Sequence, residues 1–249
     1  MKAVLKSIVR RALSSSGYRL QRIIASNDHS TQLALALKRF AIDVVLDVGA
    51  NQGQFACGLR GAGYPGRIVS FEPLPDAHAV LSARAKRDPH WVVHTQTAIG
   101  DFEGQISINV AGNSVSSSVL PMLDAHAEAA RSSAYVSALE VPIARLDSVL
   151  KRHVQDGDRV FLKIDTQGFE KQVLDGAVET LRRAHGVLCE MSIIELYKGQ
   201  ELWKDTLSRL EGEGFHLWCL QEGFTDERDG RSLQFDAALF RSETQSHQR

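Results

Sequence analysis

Short apolar runs, each stopped by an acid or a turn residue, alternate along this chain with longer stretches of helical periodicity. Val44, Val45 and Leu46 form the first run and end at Asp47. Residues 67–71 (RIVSF) end at Glu72, with Pro73 and Pro75 breaking the run; residues 91–95 form a third. Residues 159–164 (RVFLKI) end at Asp165, and residues 186–191 end near Glu190. Apolar runs this short, bounded by turn signals, read as buried strands. Residues 105–110 alternate after a DFEG turn and predict a strand reached by a hairpin. Residues 141–146 predict a short strand, and 216–220 and 235–241 two closing ones. Helical spacing predicts helices over 32–40, 76–87, 169–184 and 203–213, with Asp76 as an N-cap and Asp147 capping a further turn. Strands alternating with helices imply a mainly parallel sheet covered on both faces. Residues 111–135, rich in Gly, Ser and Ala, are the least regular. A short helix near 123–130 aside, they predict a mobile loop over a site.

The first 22 residues stand apart. Lys2, Lys6, Arg10, Arg11, Arg19 and Arg22 occur there without an acid, between apolar residues at helical spacing (Val4, Leu5, Ile8, Val9, Ala12, Leu13). Such a basic amphipathic helix either docks on the main domain, meets a partner, or lies on an anionic membrane face. Domain organisation follows: a helical extension over 1–40, a sheet-forming domain over 41–242 and a frayed tail over 243–249. The whole, at 249 residues, suits one sizeable core. A net charge of −1 gives no reason to invoke nucleic acid. No apolar stretch approaches the length of a membrane span, and no secretory signal is evident, so the expectation is a cytoplasmic protein, with peripheral contact at the inner membrane face left open through residues 1–22. Cys57, Cys189 and Cys219 lie apart in apolar surroundings and read as buried thiols.

Chemistry concentrates at the strand ends. After Asp47 the chain reads Gly49, Asn51, Gly53 and then Phe55, a strand, a glycine turn and a helix start. The turn lacks the third glycine of a dinucleotide fingerprint. An acid two residues before the first glycine suits a ligand bearing a positive group. Glu72, about 25 residues beyond Asp47, suits a carboxylate receiving both hydroxyls of a ribose. Ala98 and Ile99 either border a base or form a turn. Asp165 and Glu190 read as a base, a holder of an acceptor hydroxyl, a divalent-metal pair, or structural acids. Lys163, mid-strand, reads equally as a partner of a buried acid.

Taken together, LDVGANQGQF (46–55), FEP (71–73), AIGD (98–101), the serines at 116–118, LDSVL (146–150), FLKIDTQGFE (161–170), VLDGA (173–177) and CEMS (189–192) resemble the FkbM family of methyltransferases. The resemblance covers about residues 42–241. It implies an α/β Rossmann-like class I methyltransferase fold with a seven-stranded sheet and an antiparallel last strand. It implies S-adenosylmethionine as cofactor, with Asp47, Gly49, Asn51 and Gly53 cradling its methionine part and Glu72 at its ribose; Phe55, Ala98 and Ile99 complete the cofactor-binding candidates. It implies O-methylation of a hydroxyl on a glycosylated or lipid-linked acceptor such as a surface glycan, glycolipid or natural product. Asp165 and Glu190 are the catalytic candidates, with a magnesium ion between them as an option. Many members carry Glu where this chain has Gln167. Two alternatives stay open, a non-catalytic cofactor-binding module and an NAD-dependent oxidoreductase.

Overall fold

The computed structural model describes residues 9, 11, 13–18 and 22–242. Most of the basic segment 1–22 and the tail 243–249 therefore lie outside the described residues. Val9, Arg11 and residues 13–15 are helical.

Helix α1 (His29–Arg39) is capped by Asp28, whose carboxylate accepts from the Thr31 N–H at 2.7 Å. The chain then alternates: β1 (Val44–Val48), α2 (Gln54–Gly61), β2 (Arg67–Phe71), α3 (Pro75–Ala85) and β3 (Trp91–Val93). An inserted unit follows, with β4 (Ala98–Gly100), β5 (Gly104–Ala111), α4 (Asp124–Ala129) and β6 (Tyr135–Arg145). The alternation resumes with α5 (Leu146–Leu150), β7 (Val160–Ile164), α6 (Glu170–Asp175), α7 (Val178–Arg183), β8 (Ala184–Ser192) and α8 (Trp203–Gly212). Strand β9 (Phe215–Glu222), a hairpin of β10 (Thr225–Asp226) and β11 (Arg231–Ser232), and β12 (Gln234–Arg241) complete the chain.

Seven strands form one sheet in the order β3-β2-β1-β7-β8-β12-β9. All pairs are parallel except those of β12, which runs antiparallel to β8 and β9. This is the Rossmann-like arrangement the family resemblance implies. Every residue of β1 and β7 is buried, because helices cover both faces. Val44, Leu46, Leu162 and Ile164 pack on one face with Leu146, Leu174, Leu181 and Leu210. Val45, Phe161 and Leu188 pack on the other with Leu33, Leu37, Leu59 and Leu81. Each such leucine contributes roughly 1.5–3 kcal/mol by leaving water. Strand order reverses between β1 and β7, which opens a crevice at their carboxyl ends.

Several sequence expectations need correction. The helix expected over 169–184 is two helices, α6 and α7, parted at Gly176. A Cβ at Gly176 would stand 1.8 Å from the Gly100 carbonyl oxygen, so the break seats the chain against β4. Leu74, not Asp76, caps α3, with Pro75 at the first turn. The Asp147 carboxylate serves α7 rather than its own helix, accepting from the Glu179 and Thr180 N–H groups at 2.9 and 2.8 Å. The stretch 111–135 holds α4 and a single 3-10 turn, and β6 is longer than its apolar part. Cys57 is exposed.

Candidate functional site

A cleft of about 440 Å³ opens at the carboxyl ends of β1, β2 and β7. The glycine turn builds its rim. Gly49 has φ +74°, and a Cβ there would sit 1.7 Å from the Asp165 carbonyl oxygen, so only glycine lets the first turn meet the end of β7. Asn51 also takes a left-handed φ, of 44°. Its N–H donates to Glu72 Oε2 at 2.7 Å while the Leu74 N–H donates to Oε1 at 2.9 Å. Two backbone donors thus fix the Glu72 carboxylate at the end of β2. Each oxygen keeps a free lone pair for a hydroxyl. Burial lifts the Glu72 pKa to about 7, against the pull of the Leu74 and Asn51 donors.

The lining runs from this rim in two directions. One passes Phe71, Leu74, Ala98, Ile99, Ile108 and Phe169, an apolar slot. The other crosses Lys163, Leu188, Asp236 and Gln221 beneath the start of α1, where His29 and Ser30 face it. The serine-rich stretch does border the cleft, through Ser114, Val115, Ser117 and Ser118.

Of the residues singled out from sequence, Gly49, Asn51, Phe55, Glu72, Ala98, Ile99 and Asp165 line the cleft. Asp47, Gly53 and Glu190 do not. Gly53, with φ +89°, faces Trp91 and Leu81 instead. Asp47 lies beneath the floor and is fully buried. Its carboxylate accepts from Ser70 Oγ at 3.0 Å and pairs with Lys163 at 3.3 Å, its register neighbour on β7. The Asp47 carboxylate, expected at a ligand's positive group, thus meets Lys163 under the cleft floor and is not part of the cleft lining. Its ammonium donates to the Gly49 carbonyl at 2.9 Å and pairs with Asp165 at 3.4 Å. Burial opposes that charge, but Asp165, Asp47 and Asp236 outweigh it and hold the Lys163 pKa above its ordinary value. Burial pushes the Asp47 pKa up, and Lys163 and Ser70 restrain it.

Asp165 and Glu190 are joined by an amide. Gln167 Nε2 donates to Asp165 Oδ1 at 3.0 Å and to Glu190 Oε2 at 2.9 Å. Glu190 also accepts from Gln234 at 2.8 Å. Burial, then Asp165, Glu170 and Asp236, raise the Glu190 pKa well above that of a solvated carboxyl. The amide occupies the gap where a bridging cation would sit. Among the described residues no group of three or more His, Cys, Asp or Glu is arranged to hold a metal. The magnesium expectation thus finds no support in the arrangement of these side chains.

Sequence reasoning missed what holds Gln167. Tyr197 Oη donates to Gln167 Oε1 at 2.8 Å, which turns the amide nitrogen toward the two acids. His126 Nε2 lies 3.1 Å from Tyr197 Oη, and His126 Nδ1 lies 3.0 Å from Ser133 Oγ. Gln167 itself takes φ +54°, and its carbonyl accepts from Ser118 Oγ at 2.6 Å. These partners come from segments whose proximity no local motif encodes. His94 and His153 bond each other at 2.9 Å away from the cleft lining.

The FkbM methyltransferase domain matches residues 47–217 of this chain. The chain belongs to the FkbM methyltransferase family. Methyltransferase sdnD of Sordaria araneosa is 26% identical over 194 residues, 70% of this chain and 73% of that protein. Among solved structures, a TehB-like SAM-dependent methyltransferase from Corynebacterium glutamicum is similar at 13% identity, TM-score 0.41, over 97% of this chain and 100% of that one. A precorrin-6y C5,15-methyltransferase from Geobacter metallireducens is similar at 14% identity, TM-score 0.42, over 86% of this chain and 87% of that one. Family membership makes this an S-adenosylmethionine-dependent methyltransferase, and the oxidoreductase alternative gives way. The residues fit the cofactor. Glu72 offers a fixed carboxylate for a ribose diol, the slot at Leu74, Ala98 and Ile99 suits a base, and the volume suits a nucleoside-sized ligand.

Proposed function

We propose that this FkbM-family protein methylates a hydroxyl group, on a glycosylated or lipid-linked acceptor such as a glycolipid, surface glycan or natural product. The observation that carries this reading is the second direction of the cleft. Asp165, Asp236, Gln221, His29 and Ser30 border it, a polar set of carboxylate, amide, imidazole and hydroxyl groups matched to hydroxyls rather than to a flat apolar ring. Bound S-adenosylmethionine supplies an activated methyl group. The protein's part is then alignment and handling of the acceptor proton. Fixing an oxygen beside the methyl carbon is worth several kcal/mol in principle. Lys163 ties the end of β1 to Asp165 and keeps the two halves of the rim in register. Gln167 holds Asp165 and Glu190 in fixed orientation beside the cleft.

Peripheral membrane contact belongs to the same reading. No described helix is long and apolar enough to cross a membrane. The described part of the basic extension exposes Tyr18 and Ile23, at 71% and 72%; in the sequence Arg19 follows Tyr18 and Arg22 precedes Ile23. Apolar side chains among cations support docking on anionic headgroups. Transfer of labelled methyl from S-adenosylmethionine to a crude glycolipid fraction tests the acceptor class. Labelling of protein or nucleic acid, with none in glycosides or lipids, refutes it.

A further inference from the structure

We propose that Asp236 is the base that takes the acceptor's proton, at the inner end of a subsite formed by Leu188, Gln221, His29 and Ser30. This rests on the hydroxyl-acceptor reading above and adds a catalytic residue to it.

Asp236 lies near the start of β12, in register with Glu190 on β8 and Gln221 on β9. Because β12 runs antiparallel, its first residues arrive at the carboxyl ends of the parallel strands, where the cleft opens. A base needs access to the acceptor and an oxygen that no protein donor already occupies. The two acids expected from sequence fall short of that. Asp165 is engaged by Lys163 and by Gln167, and Glu190 accepts from both Gln167 and Gln234 and does not line the cleft. Asp236 lines the cleft, and its carboxylate makes no hydrogen bond or ion pair among the described residues.

The groups facing it set its proton affinity. Burial is the largest influence, Asp165 on β7 and Glu170 on α6 add repulsion, and Lys163 on β7 pulls the other way, leaving the pKa near 7. Glu190 is its register neighbour on β8, and His29 on α1 borders the same subsite. A carboxylate poised there exchanges protons near neutrality, where an ordinary aspartate, though ionised, is a weak base. In the step, the acceptor O–H breaks and its proton passes to an Asp236 carboxylate oxygen. The pair left on the acceptor oxygen forms the new O–C bond, and the C–S pair departs with sulfur.

Four measurements on the full chain test this, the last a titration of the wild-type Asp236 carboxyl resonance. First, methyl transfer from labelled S-adenosylmethionine to a panel of octyl glycosides is followed from pH 5 to 9. The wild-type rate rises with pH through about 7, and Asp236→Asn loses at least about 100-fold in kcat/KM together with that rise. Second, calorimetry with S-adenosylhomocysteine finds the affinity of Asp236→Asn within about twofold of wild type, separating a base from a cofactor contact. Third, without ligand, Asp236→Asn melts several degrees above wild type at pH 8 and level with it at pH 4. Removing an unpaired, desolvated carboxylate relieves the fold only where that group is ionised. Asp236→Asn with the wild-type rate and pH rise overturns the proposal alone. So does a loss of S-adenosylhomocysteine affinity equal to the rate loss. A carboxyl resonance of Asp236 titrating near 4 in the wild type overturns it even if the Asn variant fails to fold. Wild-type transfer to no glycoside removes the hydroxyl reading, and the proposal with it.

Discussion

Lys163→Met is the perturbation that best separates this arrangement from an ordinary parallel sheet. Lys163 is buried between Asp47, which is fully enclosed, and Asp165 at the cleft. Asp47 Oδ1 makes no hydrogen bond within the usual limits; the ammonium at 3.3 Å is its compensation. Methionine keeps most of the volume and removes the charge, along with the donor to the Gly49 carbonyl. Taking one partner from a buried pair costs about 3–5 kcal/mol, because the other charge is left uncompensated. Protonation of Asp47 limits the loss, so about 3 kcal/mol is the expected figure at pH 7. With a urea m-value of about 2–3 kcal/mol per molar for a chain of this size, the midpoint falls by roughly 1–1.5 M. The sign with pH is fixed. Asp47 has its folded pKa raised above the ordinary value, so the stability it contributes is full in acid and lost as pH rises through the folded value. Lys163→Met raises that pKa further, so the deficit grows from pH 4 to pH 8. Adding Asp47→Asn restores at least half of it, since no charge is then stranded. A deficit below about 1 kcal/mol, a deficit independent of pH, or a double variant weaker than the single one would each refute the reasoning.

Other expectations follow from the same geometry. Glu72→Gln weakens S-adenosylhomocysteine binding by about 10–100-fold in calorimetry, the scale of a charged hydrogen bond or two. In the wild type that affinity rises as pH passes through about 7, because the hydroxyls of a ribose are better held by the ionised carboxylate. Gly49→Ala, with a left-handed φ and a Cβ 1.7 Å from the Asp165 carbonyl, loses measurable cofactor binding before it loses its fold. Tyr197→Phe frees the Gln167 amide to turn; kcat falls about tenfold while S-adenosylhomocysteine affinity holds, and equal loss in both contradicts the positioning role. Activity survives chelation, because an amide rather than a cation joins Asp165 and Glu190.

Much of the fold was legible because its signals are local. The apolar runs of β1, β2 and β7 are buried on both faces, so they appear as unbroken hydrophobic segments in sequence. The glycine turn was legible because Gly49 and Gly53 answer a backbone demand. Glu72 was legible from its distance along the chain. Asp47 was half legible: an acid at a strand end was readable, its pairing beneath the cleft floor was not, because Lys163 comes into register with it from the neighbouring strand. Asp236 was invisible. Its importance depends on β12 inserting antiparallel between β8 and β9, which sets it beside Glu190. Tyr197, His126 and Gln234 converge on one buried amide network from three distant segments, a pairing no single window of sequence contains. The split at Gly176 was hidden for the same reason, since the obstacle is the Gly100 carbonyl of another element.

A structure of the complex with S-adenosylhomocysteine decides whether this cleft holds the cofactor against Glu72. In that complex the ribose hydroxyls are expected on the Glu72 carboxylate, the base between Leu74 and Ile99, and the sulfur turned toward the side bordered by Asp165 and Asp236. Density for the ligand anywhere else, or a ribose with no contact to Glu72, contradicts it.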